Sequence, residues 1–93
     1  MIADFRCSAT KQLYERERSR RFPSTIQRAA LRKLRLLHRS ENLNDLRMPP
    51  GNRLEKLSSS RKGQHSIRIN DQWRICFLWK DGNAYDVEIV DYH

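Results

Sequence analysis

The chain has 93 residues, 38% of them hydrophobic, and a formal net charge of +8 from 19 Lys or Arg against 11 Asp or Glu. That length holds one domain with one modest core, expected to span residues 1–93, and it excludes a multidomain enzyme. Two cysteines, Cys7 and Cys76, are too few for a disulfide scaffold and have no partners at metal-ligand spacing, so neither metal nor cofactor is expected.

In chain order, Met1 to Phe5 alternates like a short strand and already includes Asp4, so no signal peptide or membrane span is expected and a cytoplasmic location follows. Ser8 is placed to cap a helix running to about Glu17, with Leu13 and Tyr14 turned inward. Ser24 followed by Gln27 has the spacing of a capping box and opens the clearest helix of the chain. On it Ile26, Ala30, Leu34 and Leu37 recur every three or four residues, and Arg28, Arg32, Arg35 and Arg39 form a ridge on another face. Residues Ser40 to Asn52 read as connection, with a helical turn at Leu43 and Leu46 ended by Pro49-Pro50-Gly51. Leu54 and Leu57 lie three apart, which fits a strand poorly, and Ser58 to Gly63 is a polar, basic loop.

From His65 the period changes to two. Ile67 and Ile69 alternate with Ser66 and Arg68. After a turn at Asn70-Asp71, Trp73, Ile75, Phe77 and Trp79 alternate with Arg74, Cys76 and Leu78. Asp81-Gly82 predicts a two-residue hairpin turn. The last strand then puts Tyr85, Val87 and Ile89 on one face and Asp86, Glu88 and Val90 on the other. The expected fold is α+β: two N-terminal helices packed on the apolar face of a small, mainly antiparallel sheet.

Residues 1–39 carry eleven Lys or Arg against three Asp or Glu, while residues 40–93 carry eight of each. A field of this sign attracts phosphate backbones, an anionic membrane or an acidic protein. Two basic surfaces are expected: the helical arginine ridge, and a sheet-and-loop patch with Arg53, Lys56, Arg61, Lys62, Arg68 and Arg74. Arg68 and Arg74 occupy polar positions of adjacent strands joined by a tight turn, so they can converge as a phosphate clamp. Alternatively, one of them pairs with Asp86 or Glu88 on the neighbouring strand. Glu55, the one carboxylate of the basic loop region, suits a base or an arginine anchor better than a general acid. Asp91, Tyr92 and His93 end the chain; a histidine there can move protons near neutral pH, and strand alternation puts Asp91 and His93 on one side and Tyr92 on the other. His65 is expected at the surface, His38 as a cation near a helix C-terminus, and Trp73 and Trp79 in the core.

Three segments carry a family resemblance: Pro50-Gly51-Asn52-Arg53-Leu54-Glu55, then His65-Ser66-Ile67-Arg68-Ile69-Asn70-Asp71-Gln72-Trp73-Arg74, and the ending Val87-Glu88-Ile89-Val90-Asp91-Tyr92-His93. With them the chain resembles the HigB toxins of bacterial type II toxin–antitoxin modules, within the RelE/ParE superfamily. The resemblance implies a ribosome-dependent mRNA endonuclease acting in the ribosomal A site. It also implies a HigA-type helix-turn-helix antitoxin as partner, with operator DNA bound only through the toxin–antitoxin complex. By position, Arg68 and Arg74 resemble the family's phosphate-binding and transition-state arginines, and Asp91, Tyr92 and His93 match its functional C-terminal residues. Glu55 departs from the pattern, standing where well-studied members carry a histidine, and Ser58 stands near a family lysine; a base role could pass to Glu55 or His93. The superfamily fold also serves gyrase-directed toxins, and a non-cleaving ribosome- or RNA-binding regulator is a third class.

Overall fold

The computed structural model describes residues 1–92. Helices α1 (Ser8–Arg16) and α2 (Ser24–Arg39) come first, followed by strands β1 (Glu55–Lys56), β2 (Gln64–Arg68), β3 (Trp73–Lys80) and β4 (Asn83–Asp91). The strands form an antiparallel sheet in the order β1-β2-β3-β4. This is the α+β architecture that the switch from helical to strand periodicity predicts.

The helical stripe behaves as its spacing requires. Ile26, Ala30, Leu34 and Leu37 are buried, and they meet Ile67, Ile75, Phe77, Val87 and Ile89 of the sheet in one core. Removing each large aliphatic side chain from water stabilises the fold by about 1.5–3 kcal/mol. Arg28, Arg32, Arg35 and Arg39 are all exposed.

The helix starts differ from expectation. Cys7, not Ser8, occupies the cap position of α1, and no side chain caps it. Pro23 takes that position in α2, and the Ser24–Gln27 box does not form. Gln27 instead turns back over the α1–α2 loop. Its Nε2 donates to the carbonyls of Ser19 at 2.6 Å and Phe22 at 2.8 Å, and its Oε1 accepts from the Ser19 N–H at 3.1 Å. A glutamine that satisfies three backbone groups of a reversing loop does more there than it could at the helix end. The capping box appears instead at Asn42 and Asp45, before the 3₁₀ turn Leu43–Arg47 whose Leu46 is buried. Near the end of α2, His38 Nδ1 accepts from the Ile2 N–H at 3.2 Å and so ties the helix to the N-terminal segment.

Three features of the sheet were not legible as simple alternation. Met1 to Phe5 is no full strand but makes two parallel bridges to β4, Ile2 to Ala84 and Phe5 to Val87. Glu55–Lys56 does pair, as a two-residue strand opposite Ser66 and His65, with Leu54 and Leu57 half-buried on either side. Third, the β3–β4 register shifts between Cys76 and Leu78, so Leu78 faces Tyr85 while Cys76 faces Glu88. The extra residue falls at Asp86, whose φ is 52°, and a bulge resets which face each later residue takes. Ala84, Val87 and Ile89 therefore supply the core, and Tyr85 joins the opposite face. The Asp81-Gly82 turn is as predicted, with φ 53° and 80°.

Gln27→Ala should cost about 1–3 kcal/mol, because three backbone groups lose a partner. The melting temperature should fall by roughly 5–15 °C; an unchanged melting curve would show that the clamp contributes nothing. A second expectation concerns acid. The His65 ring stacks on Phe77 at 6.0 Å with its Nδ1 buried and, among the described residues, without a hydrogen-bond partner, and burial, then Lys56, hold its pKa below the ordinary 6.5. The unfolded chain then takes up the proton first, so this stabilisation is present above about pH 6.5 and lost as pH falls below it. In His65→Gln the urea midpoint should drop less between about pH 7.5 and about pH 5.5 than in the wild type; equal drops would refute the assignment.

Candidate functional site

The helices cover one face of the sheet and leave the other open. Cross-strand register places Glu55, Ser66, Cys76 and Glu88 in one row across that open face, with Arg68 and Arg74 opposite one another in the next. Arg74 is at the centre. It is only 9% exposed, and its Nε donates to Ser66 Oγ at 2.8 Å. One terminal nitrogen donates to the Arg53 carbonyl at 2.6 Å and the Ser66 carbonyl at 3.4 Å. The other lies 3.5 Å from a Glu55 carboxylate oxygen, and the Tyr92 ring centroid is 5.9 Å from the guanidinium carbon. Such a cation is fixed in place before any ligand arrives.

The local sequence explains how these groups meet. Pro50–Asn52 forms a 3₁₀ turn, and Arg53 follows it with φ 44°, reversing the chain so that Glu55 can enter β1. Asn52 is fully buried; its Nδ2 donates to the carbonyls of Leu46 and Met48, each at 3.2 Å, and so holds the turn. At the β2–β3 connection, Asn70 Oδ1 accepts from the N–H groups of Gln72 and Trp73, both at 2.8 Å. That side-chain turn brings Arg68 and Arg74 into register.

Arg68 is paired across the turn with Asp71, whose side chain is 98% exposed, and not with Asp86 or Glu88. Glu88 belongs to Arg61 at 2.8 Å, with Arg6 at 3.9 Å, and Arg61 also donates to Gln64 at 3.1 Å. Arg61 is therefore a tie between the basic loop and β4. Lys62 and the Arg53 side chain are exposed near this loop, whereas Lys56 pairs with His65 and so faces away from Glu55. Trp73 and Trp79 pack against the core.

The C-terminal residues divide between the two faces. Tyr92 lies over Arg74, with its hydroxyl bonded to the Cys76 thiol; burial, then Cys76, raise its pKa, and burial raises that of Cys76. Asp91 faces Trp73 and accepts from Gln72 Nε2 at 3.1 Å, so the structure does not bring it beside Arg74. His93 lies outside the described residues. Sequence reasoning missed Asn52, Ser66 and Cys76 as parts of this arrangement. Alternation with Arg68 and Arg74 was the signal for Ser66 and Cys76. Asn52 gave none beyond its place after Pro-Pro-Gly.

Among the described residues, no helix is long and apolar enough to cross a membrane. Over residues 3–93 the chain matches the family described as the RelE-like toxin of type II toxin-antitoxin system HigB. It is 45% identical over 85 residues to Toxin HigB-1 of Vibrio cholerae serotype O1, with 90% of each chain covered. An uncharacterized protein of Haemophilus influenzae is 39% identical over 64 residues, which cover 69% of this chain and 63% of that one. The fold, the arginine-centred open face and these matches agree: the chain belongs to the HigB-like toxins of the RelE/ParE superfamily, the toxin half of a toxin–antitoxin module.

Proposed function

We propose that this toxin is a ribosome-dependent endoribonuclease that cuts translated mRNA in the A site and so halts translation. The observation that carries the proposal is Arg74: a nearly buried guanidinium, held by Ser66 and the Arg53 carbonyl, with Glu55 at one edge and Tyr92 across it. Cleavage through the 2′-oxygen needs a base for the 2′-hydroxyl, stabilisation of the phosphorane oxygens and an acid for the leaving 5′-oxygen. Arg74 and its cross-strand neighbour Arg68 serve the second need at any pH. Glu55 and His93 are the two groups able to accept the 2′-hydroxyl proton. Tyr92 offers a ring on which a nucleotide base can stack, and Asp91 supports the C-terminal end through Gln72. Arg53 and Lys62 supply the exposed positive charge for the RNA backbone, while of the other expected RNA-binding residues Lys56 faces away from the site and Arg61 is engaged by Glu88. The partner is a HigA-type helix-turn-helix antitoxin, operator DNA is met through the toxin–antitoxin complex, and the ribosome in the cytoplasm is the target.

Primer extension on a message incubated in a reconstituted translation system, with and without ribosomes, tests this. Cuts are expected only in translated frames. Cuts in naked RNA would remove the ribosome dependence. Intact message together with replication arrest would replace the proposal by gyrase poisoning.

Arg74→Ala should lower cleavage by about 10²-fold or more, the usual loss on removing a transition-state donor. Arg68→Ala should also lower it while the melting curve barely moves, because among the described residues that side chain pairs with the exposed Asp71 across the turn. Full cleavage by both variants would place the reaction centre elsewhere.

A further inference from the structure

Arg74 is gripped at two points that are fixed in different ways. Its Nε–H is taken at 2.8 Å by Ser66, a fully buried residue of β2. Its shortest contact, 2.6 Å from a terminal nitrogen to the Arg53 carbonyl, is made to a residue outside the strands. The contacts to the Ser66 carbonyl at 3.4 Å and to Glu55 at 3.5 Å are longer. A guanidinium held mainly at Nε can still turn about its Nε–Cζ bond. The Arg53 carbonyl stops that turn, so its direction decides where the terminal nitrogens point.

Arg53 holds that carbonyl in place with a left-handed backbone, φ 44°, which a residue with a side chain keeps only where its surroundings enforce it. The preceding residue does the enforcing. Asn52 is fully buried; its Nδ2 donates to the Leu46 and Met48 carbonyls, each at 3.2 Å, and its Oδ1 accepts from Lys33 Nζ. An amide supplies two donors and an acceptor at one point, which neither a carboxylate nor an aliphatic side chain can do. The Nδ2 bonds close the loop on itself, and the Lys33 bond ties that loop to α2. The helices and Arg74 lie on opposite sides of the sheet, and this loop joins the two sides at the edge strand β1.

We infer that Asn52 and Lys33 are positioning residues for Arg74. Lys33 anchors Asn52 to the helical layer, Asn52 keeps Arg53 in its left-handed turn, and the carbonyl so aimed sets the plane of the guanidinium on the open face. The helix thereby contributes to the site from behind the sheet, without meeting the substrate. The kinetic consequence rests on the nuclease reading, because a misaimed donor weakens stabilisation of the phosphorane. The placement of the guanidinium does not depend on that reading.

The test is NMR of the full-length toxin carrying isotope-labelled arginine. In the wild type the two terminal nitrogens of Arg74 should give separate signals, because a held guanidinium rotates slowly about Nε–Cζ. Lys33→Met keeps most of the side-chain stem and removes the donor, and the two signals should merge. Lys33→Arg, which restores a donor, should separate them again. Asn52→Ala should merge them as well, and Lys33→Met decides the matter where Asn52→Ala fails to fold. Cleavage of translated message is the second readout. In Lys33→Met kcat should fall by up to about 10²-fold, the scale of a small misplacement, with KM for the programmed ribosome unchanged. Separate Arg74 signals in Lys33→Met, or wild-type cleavage by it with only a lower melting temperature, would make Lys33 purely structural and overturn the inference. So would merged signals in the wild type. A wild type that cuts no message rejects the nuclease alone, since the nitrogen signals still report whether Lys33 and Asn52 hold Arg74.

Discussion

A guanidinium cannot be buried cheaply, and the placement of Arg74 organises the chain around that fact. Taking a charge out of water costs several kcal/mol unless its donors find acceptors. Arg74 finds them on separate pieces of chain: Ser66 of β2, the Arg53 carbonyl after the Pro50–Asn52 turn, and Glu55 of β1. A strand of two residues has too little pairing to persist by itself. Strand β1 persists because Arg74 holds both its approach and its first residue. The same contacts that complete the sheet thus orient the cation on its open face, so the edge of the fold and the centre of the site are one structural problem.

The opposite edge is managed by other means. An unpaired row of β4 N–H groups would invite pairing with another chain. Here Ala84 donates to the Met1 carbonyl, Asp86 to the Asp4 carboxylate, Val87 to the Asp4 carbonyl and Ile89 to Thr10 Oγ1. The N-terminal segment and the first turn of α1 cover the edge with mixed backbone and side-chain acceptors, which is why Met1 to Phe5 resembles a strand in sequence yet makes only two bridges. Glu88 draws Arg6 from this side and Arg61 from the other, so one carboxylate joins the N-terminal segment to the basic loop across the open face.

How much of this was readable depends on the length of the periodicity. Sixteen residues of α2 repeat their apolar stripe often enough to fix both the helix and its buried face, and β3 alternates without interruption. Helix starts were misplaced because Ser24 and Gln27 satisfy the capping pattern while Pro23 already sits at the cap and Gln27 has a better partner in Ser19. The last strand holds the instructive case. A two-residue turn at Asp81-Gly82 forces Leu78 opposite Tyr85, whereas burying Val87, and Ile89 opposite Ile75, needs the other phase. Both cannot hold in a regular ladder, so the conflict itself specified an extra residue near Asp86. Without that bulge Glu88 and Tyr92 would turn toward the core, and Arg74 would lose the ring that lies over it. The convergence of the Arg53 carbonyl and Glu55 on Arg74 was beyond reach from spacing alone, because it joins segments with no common period.

The choice of side chain at position 55 bears directly on Arg74. A histidine beside Arg74 would add a like charge whenever it accepted a proton. Glu55 instead puts a carboxylate oxygen 3.5 Å from the guanidinium. In the cleavage proposed above, with Glu55 as the base, the attraction between Arg74 and the carboxylate would be released as negative charge gathers on the phosphorane. The guanidinium then transfers its interaction from one anion to the other without moving, since Ser66 and the Arg53 carbonyl keep it fixed. The cost lies before that point: a carboxylate facing the incoming phosphate repels it, and the surrounding cations must offset that repulsion. Under the proposed cleavage, an arginine held by Ser66 and a backbone carbonyl would make a carboxylate base tolerable, and the basic patch would be as much a condition for using Glu55 as a means of attracting RNA.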